Sequence, residues 1–434
     1  VKILLMGNHA CANRGDCAIS RGLYQSLQQL FPSAHFSWIS RFPVSSSYLS
    51  GQPYQQDRLT GLYQQPKAGL SGRLKAFIKA RYLSRYLAFH VEHPALALWL
   101  RLPLPELMRQ EIAFVRQFDL VIQVGGSNFV DLYGASQFDY ALCTLLARRP
   151  LYLLGHSVGP FNNATFCHIA AVVFARAEAL MLREPISADL LTHATIPVKQ
   201  LLMGADTAWL VEPSAWPVPA NWQLPAGGRR IALTIRTLYP FDKKLNCSQA
   251  QFEQAMLQLM ETLIDAGYQL LLLSTCTGID GYKNDDRMLA LKLKQQLSRP
   301  EAAEVEMREL NDIELGWLFS QCQLTIGTRL HSAIISMNFG TPAFAINYEH
   351  KSAGIFAQMQ LPQQALSLQQ LCSGEALQHI FAALDDLPAL KVRSDAAVQQ
   401  EKQRAATAIR LACGTASANS VDRADLVNSA ETAQ

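Results

Sequence analysis

Short apolar runs recur along the chain, and each gives way to a polar or glycine-bearing turn and then to a longer stretch with helical spacing. In the first half these runs are KILLM (2–6), HFSWI (35–39), LVIQV (120–124), LYLLG (151–155) and ALMLR (179–183). In the second half they are IALTI (231–235), YQLLLL (268–273), QLTIG (323–327) and AFAIN (343–347). Near-continuous apolar runs suit strands buried on both faces. Strands alternating with helices predict βαβ units, so the chain is expected to be α/β with parallel sheets.

The alternation stops at VEPSAWPVPANWQLPAGG (211–228), whose four prolines and two closing glycines read as an interdomain linker. The expected organisation is an N-terminal α/β domain over 1–210, the linker, a C-terminal α/β domain over 229–372, helices over 373–412 and a disordered tail over 413–434. No repeat of solenoid length is evident.

Composition narrows the function classes. At 434 residues the chain can bury sizeable cores, and 49% hydrophobic with 17% charged residues is a well-packed profile. A net charge of +3 gives no reason to expect nucleic acid as a partner. The nine cysteines form no CxxC and no zinc-spaced cluster, which fits reduced thiols in a cytoplasmic protein and predicts no metal site. VKILLMGNH is too short in its apolar part for a signal peptide and reads as a first strand. The most apolar stretch, ALALWLRLPLP, is broken by Arg101 and prolines, so no membrane span is expected. Residues 71–90 form a basic amphipathic helix candidate. It reads as an ordinary surface helix, with a peripheral inner-membrane contact as the other reading.

In parallel α/β sheets ligands collect beyond the carboxyl ends of the strands. In the second half those positions hold Arg236 after IALTI, Ser274, Thr275 and Thr277 after LLLL, Thr328, Arg329 and His331 after TIG, and Tyr348, Glu349, His350, Lys351 and Ser352 after AFAIN. A helix entered at Ser332 offers backbone N–H groups and a positive dipole end, and Arg329 adds a planar fork that matches carboxylate or phosphate. Arg236 could hold a second anionic group. The predicted ligand is a small molecule with several negative charges, with His331 beside it as proton donor or acceptor.

The first half offers GNHACANRGDCAI (7–19), where Asp16 lies near a helix start as a functional acid or a simple N-cap. It also offers QVGGSNFVDLYG (123–134), with Ser127 and Asn128 expected in a loop after a strand, and GHSVGPF (155–161). The last resembles a hydrolase elbow, but Pro160 follows at once and the required strand–turn–helix context is not indicated. Asp206 in GADTAWL could face the crevice or cap a turn. Asp285–Asp286 reads as a pair of solvated surface acids rather than a metal-binding doublet.

Taken in order, GNHACANRGDCAI, QVGGSNFVDLYG, GHSVGPF, GADTAWL, LSTCTGID, GTRLHSAI and INYEHKSAG resemble the polysaccharide pyruvyl transferase family, of the colanic acid and amylovoran type. The resemblance runs from residue 1 to about 412. It implies a GT-B-like fold, two Rossmann-like domains facing across a cleft. It also implies phosphoenolpyruvate as donor, no cofactor, and a sugar acceptor on a lipid-linked oligosaccharide. Arg329, Leu330 and His331 match the family's donor-site Arg-Leu-His, Arg236 its upstream arginine, and Asn13, Gly15 and Asp16 its Asn-x-Gly-Asp. Many members carry a second acid after that Asp; here the residue is Cys17. On this reading His331 and Asp16 are catalytic, and Arg236, Arg329, Ser332, Thr275, Lys351, Asn13, Ser127 and Asn128 bind substrate. Two alternatives stay open: a nucleotide-sugar-dependent GT-B glycosyltransferase, and a non-catalytic scaffold that binds sugar or lipid phosphate.

Overall fold

Every one of the apolar runs forms a parallel strand in the computed structural model, which describes residues 1–7, 10–60, 82–215, 217, 228–238, 247–347 and 350–431. The first sheet comprises β1 (Lys2–Met6), β2 (His35–Ser40), β3 (Tyr54–Gln56), β4 (Leu120–Phe129), β5 (Leu151–Val158), β6 (Ala179–Leu182) and β7 (Leu201–Met203), in the order β3-β2-β1-β4-β5-β6-β7. The second comprises β8 (Arg230–Thr234), β9 (Gln269–Leu273), β10 (Ala303–Val305), β11 (Leu324–Gly327), β12 (Ala343–Asn347) and β13 (Ala365–Ser367), in the order β10-β9-β8-β11-β12-β13.

Four strands have no counterpart among the apolar runs: β3, β7, β10 and β13. All four lie at sheet edges and are three residues long with partly exposed side chains, so they need no apolar run and leave no signal. A second difference is in β4, which continues through Gly125, Gly126, Ser127 and Asn128 to Phe129. These residues lie within a strand whose register with β5 shifts between Gly126 and Phe129, and not in a loop after it.

Each sheet reverses its winding once, between β1 and β4 in the first and between β8 and β11 in the second. Those switch points are where an open parallel sheet presents a crevice. They hold the starts of α1 (Arg14–Leu30) and α4 (Leu330–Asn338), with α2 (Asp286–Lys294) and α3 (Asp312–Ser320) beside the latter. The two crevices face each other. Arg14 N donates to Thr275 O at 2.7 Å, Thr277 N donates to Ala12 O at 3.2 Å, and Asn13 and Cys276 form an antiparallel bridge. One hydrophobic cluster runs through both halves, from Leu23 and Trp209 to Ile313 and Ile334. The architecture is α/β and GT-B-like.

After α5 (His350–Gln358), the final helix α6 (Leu387–Glu431) returns to the first half, where Ala408 lies against Gly204 and Cys413 is buried. The backbone stays helical to Glu431, across the segment expected to be a disordered tail. Of the linker, residues 216 and 218–227 lie outside the described part. So do residues 71–81 of the basic helix; its remainder continues as a helix over 82–92, with Leu83 and Leu87 buried. No helix among the described residues is long and apolar enough to cross a membrane.

Candidate functional site

The second-domain half of the site is built on the turn from β11 into α4. Gly327 is required there, because a Cβ would lie 2.0 Å from Ser332 Oγ. Ser332 is fully buried; its hydroxyl donates to Arg329 O and accepts from Thr234 Oγ1 at 2.9 Å. Its hydroxyl therefore stitches the turn to β8. Arg329, extended in backbone (φ −122°), is the residue at the cap position, and no side chain caps the helix. The Arg329 guanidinium is held by Asp286, Nε to Oδ2 at 2.7 Å and Nη2 to Oδ1 at 2.9 Å. The acid doublet is thus not a solvated pair. Asp285 caps α2 and pairs with Arg287, while Asp286 is buried against Arg329.

Arg236 follows the neighbouring strand β8 and is buried, with Nε donating to Thr237 O at 2.9 Å. Thr275 is fully buried and its Oγ1 has no hydrogen-bond partner among the described residues. Cys276, next to it, feels Arg329, Asp286, Asp16 and Arg236 together, while burial pushes its thiol up to about 12. The fields of these four groups converge on one place. The Lys351 side chain lies outside the described part.

The first-domain half is the start of α1. Asn13 caps it, accepting from Gly15 N at 3.1 Å. Arg14 is buried and spends its guanidinium on the domain boundary, donating to Leu310 O, to Ala12 O at 2.7 Å and to Glu309 Oε2 at 3.0 Å. A Cβ on Gly15 would lie 2.5 Å from both Cγ and Nδ1 of His331, so this position admits the ring only as glycine. Asp16 is not the cap. Burial raises its carboxyl to about 6, against the opposing pull of His331, Arg183, Asn13 and Arg329. Cys17 Sγ lies 3.2 Å from Asp312 Oδ1. A second acid at this position would face that buried carboxylate, which accounts for the thiol.

A buried network centred on Arg183, a residue that the sequence did not single out, joins the halves. Arg183, at the end of β6, donates from Nε to Ser157 Oγ at 2.8 Å, from Nη2 to Ser127 Oγ at 2.9 Å and from Nη1 to Asp206 Oδ2 at 2.6 Å. Asp206 Oδ1 accepts from Ala208 N at 3.0 Å, and Oδ2 lies 3.2 Å from His331 Nε2. Burial works to raise the Asp206 carboxyl, but Arg183 and His331 outweigh it and hold the group well below the usual range. Asp206 therefore both caps a turn and faces the crevice. The available signal for Arg183 was its place at the end of ALMLR; a lone strand-end arginine carries little weight without its partners.

Asn128 stands apart from these groups, with Nδ2 donating to Gly7 O at 3.3 Å. His156 belongs to the core. It lies against Phe129, and burial lowers it to about 3, which keeps it neutral. Ser157 lies within β5 and not on a strand-to-helix turn, so the elbow-like GHSVG is not a hydrolase site. No group of three or more His, Cys, Asp or Glu side chains among the described residues is gathered to hold a metal.

The model of the family described as polysaccharide pyruvyl transferase matches residues 13–350. The amylovoran biosynthesis protein AmsJ of Erwinia amylovora is 44% identical over 407 residues, covering 93% of this chain and 96% of that protein. Among solved structures, the UDP-GlcNAc 2-epimerase of Neisseria meningitidis bound to UDP-GlcNAc aligns with a TM-score of 0.57 at 10% identity, covering 96% of this chain and 100% of the other. Alr3699/HepE of Anabaena, solved with UDP and glucose, aligns with a TM-score of 0.55 at 14% identity, covering 96% and 99%. At such identities these two likenesses concern the fold alone. The family match over most of the chain and the relative in amylovoran biosynthesis agree: the chain belongs to the polysaccharide pyruvyl transferase family.

Proposed function

We propose that this enzyme transfers the three-carbon unit of phosphoenolpyruvate to a sugar of an exopolysaccharide repeat unit and leaves it as a pyruvate ketal. The observation that carries the reading is the placement of Arg236 and Arg329. They follow two adjacent strands at the second sheet's switch point, opposite Asp16 and beside His331. Two guanidinium groups suit a donor with a phosphate and a carboxylate.

In the proposed reaction Arg236, Arg329 and the start of α4 hold the donor's anionic groups. His331, protonated, gives a proton to the methylene carbon, and C2 becomes electrophilic. A sugar hydroxyl attacks C2, the C–O bond to phosphate breaks, and a second hydroxyl adds to C2 and closes the ketal, its proton leaving on the released phosphate. The products are the ketal and inorganic phosphate. Asp16, a carboxylate with its proton affinity raised toward neutrality, takes the proton of the attacking hydroxyl. The arginines supply the positive charge that stabilises the departing phosphate. The acceptor is a galactose-like sugar on a lipid-linked oligosaccharide, met at the inner membrane.

Titration calorimetry with phosphoenolpyruvate, and with UDP- and GDP-sugars as comparators, tests the reading. Saturable binding of phosphoenolpyruvate is expected. It should weaken about tenfold in Arg329→Lys, which keeps the charge facing Asp286 but loses the fork. Binding of a nucleotide sugar alone would make the chain a glycosyltransferase instead.

A further inference from the structure

An apolar surface on the first domain plays no part in the site. The short helix Pro94–Trp99 is pinned by Ala97, which is buried, while Leu96, Leu98, Trp99 and Leu100 are 43, 80, 77 and 46% exposed. Four large apolar side chains within five residues are left in water, where an ordinary surface helix would carry polar ones. The backbone beneath them is fixed. Leu102 N donates to Ala97 O at 3.0 Å, and the Tyr86 hydroxyl donates to Pro103 O at 3.0 Å.

We propose that Leu96, Leu98, Trp99 and Leu100 form a wedge that docks this domain on an anionic lipid bilayer. A Trp among leucines suits the interfacial layer, where one side of the ring is apolar and the indole N–H stays wet. Charge favours lipid over a protein partner. Between Thr60 and Glu92, immediately before the wedge, the sequence carries six Lys or Arg residues and no Asp or Glu, and exposed Arg101 follows it. Apolar insertion backed by basic residues is how a peripheral protein reaches an anionic leaflet. The inference deepens the proposed membrane-borne acceptor by assigning the surface that meets the bilayer. Vesicle binding needs no substrate, so its failure and a failure of pyruvyl transfer are separate results.

The test is flotation of the full chain with phosphatidylcholine vesicles, with and without phosphatidylglycerol. The wild type should float with the anionic vesicles and lose binding as salt rises. The double variant Leu98→Ser/Trp99→Ser should bind at least about tenfold more weakly at unchanged melting temperature, since both side chains already stand in water. Absence of the wild type from the anionic vesicles, or equal binding by the variant, overturns the inference. So does self-association in analytical ultracentrifugation that the double variant abolishes, because it assigns the surface to a second copy of the chain.

Discussion

His331 of the second domain and Asp206 of the first meet across the domain boundary, Nε2 to Oδ2 at 3.2 Å, and Asp206 is itself clamped by Arg183 at 2.6 Å. An imidazole bonded at Nε2 to a fixed carboxylate has one orientation and one nitrogen left for proton transfer. The proposed acid is therefore assembled from both domains. Asp206→Asn keeps the shape and the cap but loses the charge. It is expected to lower kcat about 100-fold or more while changing donor affinity about threefold at most. Calorimetry and turnover on the folded variant separate the two, and an unchanged kcat would refute the role.

Gly15 makes that meeting sterically possible. Alanine there would place its Cβ 2.5 Å from the imidazole, on rigid helical backbone that cannot move aside. Gly15→Ala should push His331 off Asp206 and abolish turnover, although alanine favours the helix by up to about 1 kcal/mol. A stable variant with normal turnover would contradict the packing argument. Its crystal structure would show whether the ring had moved.

Much of this was legible in the sequence. The nine inner strands announce themselves because each has a neighbour on both sides and most of their residues are buried and apolar. Arg329, His331, Arg236 and Asp16 follow from asking which residues stand after those strands. The four edge strands did not show, since three half-exposed residues held by one neighbour need no special composition. Asp206 was legible as a cap or a crevice residue, but its ion pairs were not, and the roles of Arg183 and Asp286 could not be read. Each depends on a partner 23 to 125 positions away, and no local pattern encodes that distance. Ser332 illustrates the converse. Its position at the helix start suggested a ligand contact, whereas its hydroxyl is taken up by Thr234 and Arg329.

Asp16 gives the site a pH signature. Its folded value of about 6 lies above the ordinary 3.8, so the protonated form is favoured by folding. That contribution is complete below about pH 4 and is lost as pH rises through 6. In Asp16→Asn the fall in stability between pH 4 and 7 should flatten, by an amount on the order of 1–2 kcal/mol for a half-buried group. Activity should run the other way, since a base must be ionised, with an acidic limb near pH 6 in kcat/KM. Asp206 has the opposite sign. Its depressed carboxyl contributes stability above about pH 4 that disappears in stronger acid. Denaturation midpoints across pH check both, and a wild-type profile matching Asp16→Asn would exclude the titration.

The domains are also held by Arg21 of α1 and Asp312 at the start of α3. Arg21 Nε donates to both carboxylate oxygens, at 3.1 and 2.9 Å, and its outer nitrogens reach Ser50 O at 3.0 Å and Leu49 O at 3.1 Å. Both side chains are buried, so removing one charge strands the other in a medium that solvates it poorly. Asp312→Ala should cost about 3–5 kcal/mol, much of it the penalty of the unpaired guanidinium. The double variant Arg21→Met/Asp312→Leu strands no charge and should lose less than the sum of the single changes. Thermal denaturation of the wild type, both single variants and the double variant measures this coupling. Additive losses would mean that the pair does not act as a unit and that the boundary is held by the shared apolar cluster and the Arg14 contacts instead.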